Sequence, residues 1–201
     1  MISVAKQKSN IRSHILLKRN EISSERRHNA SKACAQALAG ELTTIQKNPN
    51  EDIVIAGYFP LGSELSPLPF LESLDKGISI AMPVMLSNVG MQFFQVTPDE
   101  LHEKTLPFFS HPAKPVSRDD ISLIQRVQYS PDELDFIIVP LVAFSGNMRL
   151  GYGGGNYDIF FKELQQSPKC PKIIGIAFAE QEVAFLPIED HDKPLQKILS
   201  F

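Results

Sequence analysis

The chain has 201 residues, 43% of them apolar and 21% charged, which excludes a wholly disordered or collagen-like polymer and suits one domain spanning 1–201. The formal net charge of −3 is unevenly spread: residues 1–32 hold eight Lys and Arg against two Glu, and the remainder twelve against twenty-one acids. Its longest apolar run, 136–144, contains a proline and falls well short of the roughly 20 residues that cross a membrane, so a cytoplasmic protein without a membrane partner is expected.

The basic N-terminal segment could meet RNA, an acidic membrane surface, a nucleotide's phosphates or the acidic remainder of its own chain. Residues 1–20 also lack acids, as a transit peptide does. From Val4 to Ile22 the pattern is mostly polar, with Ile11, Ile15 and Ile22 close to one face, which predicts a surface helix. Ser23 and Ser24 offer N-cap oxygens for a second helix, whose apolar stripe is Ala30, Ala33, Cys34, Ala37, Leu38 and Leu42. A loop is predicted over Lys47 to Asp52.

Ile53 to Phe59, stopped by Pro60, reads as a buried strand. A loop and a short helix, Phe70 to Leu74, lead to a second strand, Ile78 to Met82, closed by Pro83. Strand, helix and strand make a βαβ unit. Met91 to Val96 suggests another strand, but prolines at 98, 107, 112, 115 and 131 point to loops and edge hairpins whose order is open. Phe136 to Val139, continued by Leu141 to Phe144, predicts a central strand running into a glycine-rich turn. A helix through Phe160 to Leu164 and a strand over Ile173 to Phe178 follow. This alternation predicts an α/β fold with a mostly parallel central sheet flanked by helices and an N-terminal helix pair packed on it. Cys34 and Cys170 make no zinc site alone and are expected to be buried free thiols.

Five of the eleven glycines lie within Gly146 to Gly155, in the stretch Arg149-Leu-Gly-Tyr-Gly-Gly-Gly-Asn-Tyr-Asp158. Clustered glycines cost backbone entropy and suit places where backbone must approach a ligand closely, or a tight turn. Between a strand and a helix start, their N–H groups favour an anion. Arg149 can pair with phosphate and Asp158 can hold Mg²⁺. A P-loop is absent, and the dinucleotide pattern begun by Gly151 and Gly153 fails at Asn156.

The segment Pro140-Leu-Val-Ala-Phe144 followed by Arg149 to Asp158 resembles the signature of the 5-formyltetrahydrofolate cyclo-ligase family. In order along the chain, Lys8 and Arg12 resemble that family's Lys-x-x-x-Arg helix, and Tyr58, Pro60 and Glu64 its strand-then-glutamate segment. Ala81 to Val84 resemble its second strand, and Gly175, Gln181, Pro187, Glu189, His191 and Asp192 its C-terminal pattern.

The resemblance implies an ATP-dependent ligase that uses Mg²⁺ and converts 5-formyltetrahydrofolate to 5,10-methenyltetrahydrofolate, releasing ADP and phosphate. It implies catalytic roles for Lys8 and Arg149, and ATP contacts from Lys8, Arg12, Arg149, Gly151, Tyr152, Gly153, Gly154, Gly155, Asn156 and Tyr157. The implied folate contacts are Phe59, Glu64, Asn156 and Tyr157, and the implied metal ligands Asp158 and Asp192. No nucleic-acid partner is implied, and a monomer is expected. Two departures stand out. The loop between Phe144 and Arg149 is one residue shorter than usual, with Ser145 in place of Asp, and Asn156 stands where an aromatic is usual. These suggest altered folate affinity. The other readings are a nucleotide- and folate-binding relative without turnover or with another substrate, and a nucleic-acid-binding protein. The latter lacks support because residues 1–57 contain no Phe, Tyr or Trp.

Overall fold

The computed structural model describes residues 3–45, 52–189 and 192–201. Two helices open the chain. α1 spans Val4–Glu21 and is capped by Ser3, whose hydroxyl accepts from Lys6 N. α2 spans Ser24–Leu42, and its cap is Ser23, whose hydroxyl accepts from Arg26 N, satisfying one of the donors a helix start leaves unpaired. Ala30, Cys34 and Leu38 form its buried stripe, as the 3.6-residue spacing requires.

The strands and short helices that follow are β1 (Ile53–Ala56), α3 (Leu68–Leu71), β2 (Ile78–Leu86), β3 (Gly90–Val96), α4 (Pro98–Glu103), α5 (Pro107–Ser110) and α6 (Ile121–Ile124). Then come β4 (Gln128–Tyr129), β5 (Phe136–Pro140), β6 (Ala143–Ser145), β7 (Met148–Leu150), α7 (Asn156–Leu164), β8 (Lys172–Ala177) and β9 (Lys197–Ser200). Seven strands make one sheet in the order β4-β3-β2-β1-β5-β8-β9. The β2, β1, β5, β8 and β9 strands are parallel, and β3 and β4 extend one edge antiparallel.

Alternate residues of the central strands feed two apolar layers. Ile55, Phe136 and Ile138 face the layer holding Ala30, Cys34 and Leu38 of α2. Val54, Ala56, Ile137 and Val139 face the layer holding Phe160 and Leu164 of α7. Helices therefore cover both sheet faces, the arrangement that a parallel sheet demands. α1 packs elsewhere, placing Ile15 against Val142, Ala143, Leu150 and Leu186 around the β6–β7 hairpin, so only α2 of the expected pair lies on the main sheet.

Several boundaries differ from those predicted. β1 stops at Ala56 because the chain beyond Gly57 satisfies its polar groups locally: the Tyr58 hydroxyl donates to Leu65 O, and Leu61 N donates to Glu64 Oε2. Pro83 does not close β2. It shares the strand face direction of Ala81, whose carbonyl accepts from Gly57 N on the β1 side, and β1 has ended by then, so no ladder bond needs the missing N–H. The helix expected at Phe70 to Leu74 is a single turn begun two residues earlier. The prolines at 98 and 107 open short helices, where their fixed φ is favourable. Leu141 and Val142 leave the sheet, and Ala143 to Ser145 pair with Met148 to Leu150 in a separate hairpin; the shortened Phe144–Arg149 connection contains its two-residue turn, Gly146 and Asn147. Cys34 is buried, its thiol pKa pushed up to about 12 by burial, but Cys170 is exposed, contrary to expectation. The loop predicted at 47–52, apart from Asp52, and His191 lie outside the described residues.

Candidate active site

Chain order sets where a ligand can sit. From β1 the connection through α3 leads to β2 on one side, while β5 and β8 lie on the other, so the carboxyl ends of β1 and β5 mark a topological switch point, where open parallel sheets bind ligands. A cleft of about 630 Å³ opens there, with Tyr58, Phe59 and Glu64 following β1 and Pro140 ending β5 among its walls. That volume is typical of small-molecule sites.

The hairpin and α1 close a second wall. Arg12 of α1 donates through Nε to Gly151 O at 2.7 Å. Its guanidinium lies against Gly153, where a Cβ would fall 3.2 Å from Arg12 Cζ. Gly153 (φ +96°) and Gly155 (φ +72°) both occupy the left-handed region, so glycine is demanded at 153 by conformation and by the close approach of Arg12. Gly155 supplies the N-cap of α7 with no side-chain cap, leaving the first-turn amides of that helix without intrahelical acceptors.

Lys8 lies one turn before Arg12. It is buried, and its Nζ is 2.8 Å from Glu189 Oε2 and 2.6 Å from Asp192 Oδ2. Burial pulls its pKa down, but the hydrogen bonds and charges of Asp192 and Glu189 outweigh that and hold it above the usual lysine value. Arg149, on β7, reaches Asp158 Oδ1 at 2.6 Å and lies over the rings of Tyr157 and Phe161, 5.8 and 5.1 Å from their centroids.

Across the cleft, Glu64 is 8% exposed. Its Oε2 accepts from Leu61 N at 2.6 Å, while Oε1 is buried and makes no hydrogen bond of normal geometry. Burial raises its pKa; the Leu61 amide, the charge on Arg19 and the Tyr152 hydroxyl offset part of that. Phe59 stacks flat on Phe109 at 5.0 Å between centroids, giving this wall an aromatic surface.

Every residue nominated for a binding or catalytic role lines this one cleft: Lys8, Arg12, Phe59, Glu64, Arg149, Gly151 to Asp158, and Asp192. Sequence reasoning missed the wall formed by Pro83, Met85, Met91, Pro112 and Ala113, because the pairing of β2 with β3 carries no local motif. It also missed Arg19, although Lys8, Arg12, Ile15 and Arg19 recur at spacings of four, three and four, which align them on one helical face.

The sequence profile of the 5-formyltetrahydrofolate cyclo-ligase family matches residues 4–200. The chain belongs to that family. Membership makes it a ligase of folate one-carbon metabolism that is coupled to ATP. A 5-formyltetrahydrofolate cyclo-ligase from Haemophilus influenzae is 28% identical over 96% of this chain and 97% of its own length. A 5,10-methenyltetrahydrofolate synthetase structure from Mycoplasma pneumoniae superposes with a TM-score of 0.67 at 25% identity, covering 95% of this chain and 96% of that one. The fold also matches that of the Aquifex aeolicus 5,10-methenyltetrahydrofolate synthetase, with a TM-score of 0.65, 23% identity and coverage of 96% and 89%.

The basic N-terminal segment meets its own chain. Lys8 pairs with Glu189 and Asp192, Arg12 holds Gly151, Arg26 pairs with Glu180, and Arg27 donates to Ile22 O, Arg19 O and Ser63 O. Lys6, Lys18 and Lys32 are the exposed members of the eight.

Proposed function

We propose that this cyclo-ligase converts 5-formyltetrahydrofolate to 5,10-methenyltetrahydrofolate at the expense of ATP and Mg²⁺. The observation that carries the reading is that one cleft joins two unlike ends: a buried carboxylate, Glu64, and an amide-rich, cationic end made by Lys8, Arg12, Arg149 and Gly151–Gly155. The first suits the N–H donors of a pterin edge, and the second suits phosphates.

Atoms move in two stages. The formyl oxygen attacks the γ-phosphorus, and the bond to ADP breaks. N10 then attacks the activated carbon, the carbon–oxygen bond breaks with departure of phosphate, and N10 releases its proton. Such chemistry asks the protein for alignment and charge neutralisation more than for an acid or base. Lys8 and Arg12, from one face of α1, supply positive charge to the phosphates, while the α7 first-turn amides add fixed donors. Arg149 is immobilised between Asp158 and two rings, so its charge is preorganised. Glu64 and Phe59 orient the pterin.

The donor set also fits the cation. Asp158 and Asp192 both face the cleft, and Mg²⁺ is commonly held by one or two carboxylates together with substrate phosphates. When bound, Mg²⁺ would neutralise charge developing on the transferred phosphoryl group.

The test is ATP-dependent appearance of the methenyl chromophore from 5-formyltetrahydrofolate, with ADP release followed in parallel. ADP release should require the folate. An equal ATPase rate without folate would overturn the coupled mechanism.

A further inference from the structure

Arg19 is the most deeply buried cation among the described residues, at 2% exposure. It lines no wall of the cleft, yet it is tied to Tyr152, which does, and to the turn that ends in Glu64, which also does. Nη2 donates to the Tyr152 hydroxyl, and the guanidinium lies 5.5 Å from the Tyr152 ring centroid. Nε donates to Ser63 Oγ at 3.0 Å, within the turn that ends in Glu64, and Ser63 in turn donates to Asn20 Oδ1 at 2.6 Å. Nη1 is buried without a hydrogen bond. A second cation is close by: Arg27 donates to Arg19 O and to Ser63 O, and burial together with the Arg19 charge lowers its pKa.

The Glu64 carboxylate is near enough to feel its charge, but a buried guanidinium with neutral hydrogen-bond partners, an idle donor and a like charge nearby is still costly to stability. An apolar side chain of similar length would fill the same volume. What it could not do is hold two loops at once, for which a rigid fork of donors is suited.

We propose that Arg19 is a positioning residue. It registers the glycine-rich loop, through Tyr152, with the Leu61–Glu64 turn, through Ser63, and so sets the separation between the phosphate end and the Glu64 end of the cleft. The catalytic consequence rests on the function proposed above: with both substrates bound, a small error in that separation slows phosphoryl transfer to the formyl oxygen without much affecting how well either substrate binds.

Two measurements test the clamp, one of them independent of any ligand. Hydrogen exchange of the amides of Gly151–Asn156 should accelerate at least about tenfold in Arg19→Met and in Tyr152→Phe, with the double variant no faster than either single one, as expected for two residues acting as a unit. Lys18→Ala, on the exposed side of α1, should exchange like the wild type. In the coupled assay, Arg19→Met should lose about ten- to a hundredfold in kcat while both KM values change less than about threefold. Arg19→Lys keeps the charge but not the fork, and should show the same kcat loss if Arg19→Met proves too unstable to assay. Unchanged loop exchange in a folded Arg19 variant, or a fall in melting temperature with kcat intact, would overturn the proposal. If the wild type makes no methenyl product but loop exchange responds as described, the clamp stands and the functional reading falls.

Discussion

Arg149 holds the Asp158 carboxylate at 2.6 Å, nine residues along the chain and across the whole glycine-rich loop. The pair closes that loop at its base, and Asp158 itself remains about half exposed and lines the cleft. Asp158→Asn should therefore do two things at once: raise the Mg²⁺ concentration needed for half-maximal rate by at least about tenfold, in the range seen when metal-site groups are altered, and loosen Arg149. Magnesium titrations at saturating ATP and folate check this. An unchanged magnesium requirement would remove Asp158 from the metal site.

Arg12→Ala should cost about 2–4 kcal/mol in kcat/KM, the usual loss for one preorganised donor in a charge-stabilising site. It also removes the bond that pins Gly151 O. Lys18→Ala, exposed on the same helix, should stay within about twofold of the wild type.

Gly153→Ala places a Cβ at φ +96° and 3.2 Å from Arg12 Cζ. Strain of this kind costs about 1–3 kcal/mol, and relief requires moving either the loop or Arg12. The expected result is a loss of about tenfold or more in kcat/KM for ATP. Gly77→Ala, where a Cβ meets nothing within 4 Å, should leave activity intact.

Asn156 begins α7, is exposed and borders the cleft, so an aromatic ring can be accommodated there without repacking the core. Asn156→Tyr should lower the KM for 5-formyltetrahydrofolate by up to about tenfold, since ring stacking contributes about 0.5–1.5 kcal/mol beyond area burial. The KM for ATP should hardly move. Movement of the ATP constant alone would place this side chain at the nucleotide end.

Glu64 carries a stability cost whose sign follows from its raised pKa. A carboxyl that binds its proton more tightly when folded destabilises the fold above its folded pKa, and that penalty disappears as pH falls toward the ordinary value of 4.5. Glu64→Gln keeps an acceptor for Leu61 N and removes the charge. It should raise the melting temperature by about 2–4 °C at neutral to alkaline pH, equivalent to about 1 kcal/mol in a chain of this size, with the gain fading toward pH 4.5. Activity should fall at the same time, as expected where a strained group is kept for function.

Much of this molecule is legible in its sequence alone. The α2 stripe, its Ser23 cap and the apolar runs of β1, β5 and β8 follow from periodicity and turn residues, because these are local properties that burial of one face or both imposes on the sequence. The glycine-rich loop is equally visible, since left-handed φ at Gly153 and Gly155 and the close approach of Arg12 to Gly153 demand glycine there. Other features depend on what comes alongside. Whether Pro83 ends a strand depends on where β1 stops, and whether α1 lies on the sheet depends on a hairpin more than a hundred residues away. Lys8 and Arg12 could have been ordinary solvated cations; Glu189, Asp192 and Gly151 make them part of a cleft. Arg19 shows the difference most plainly, because its sequence neighbourhood announces only a polar helix. Its burial, and the two loops it joins, arise from contacts 44 and 133 residues distant, and no local pattern encodes contacts at that range.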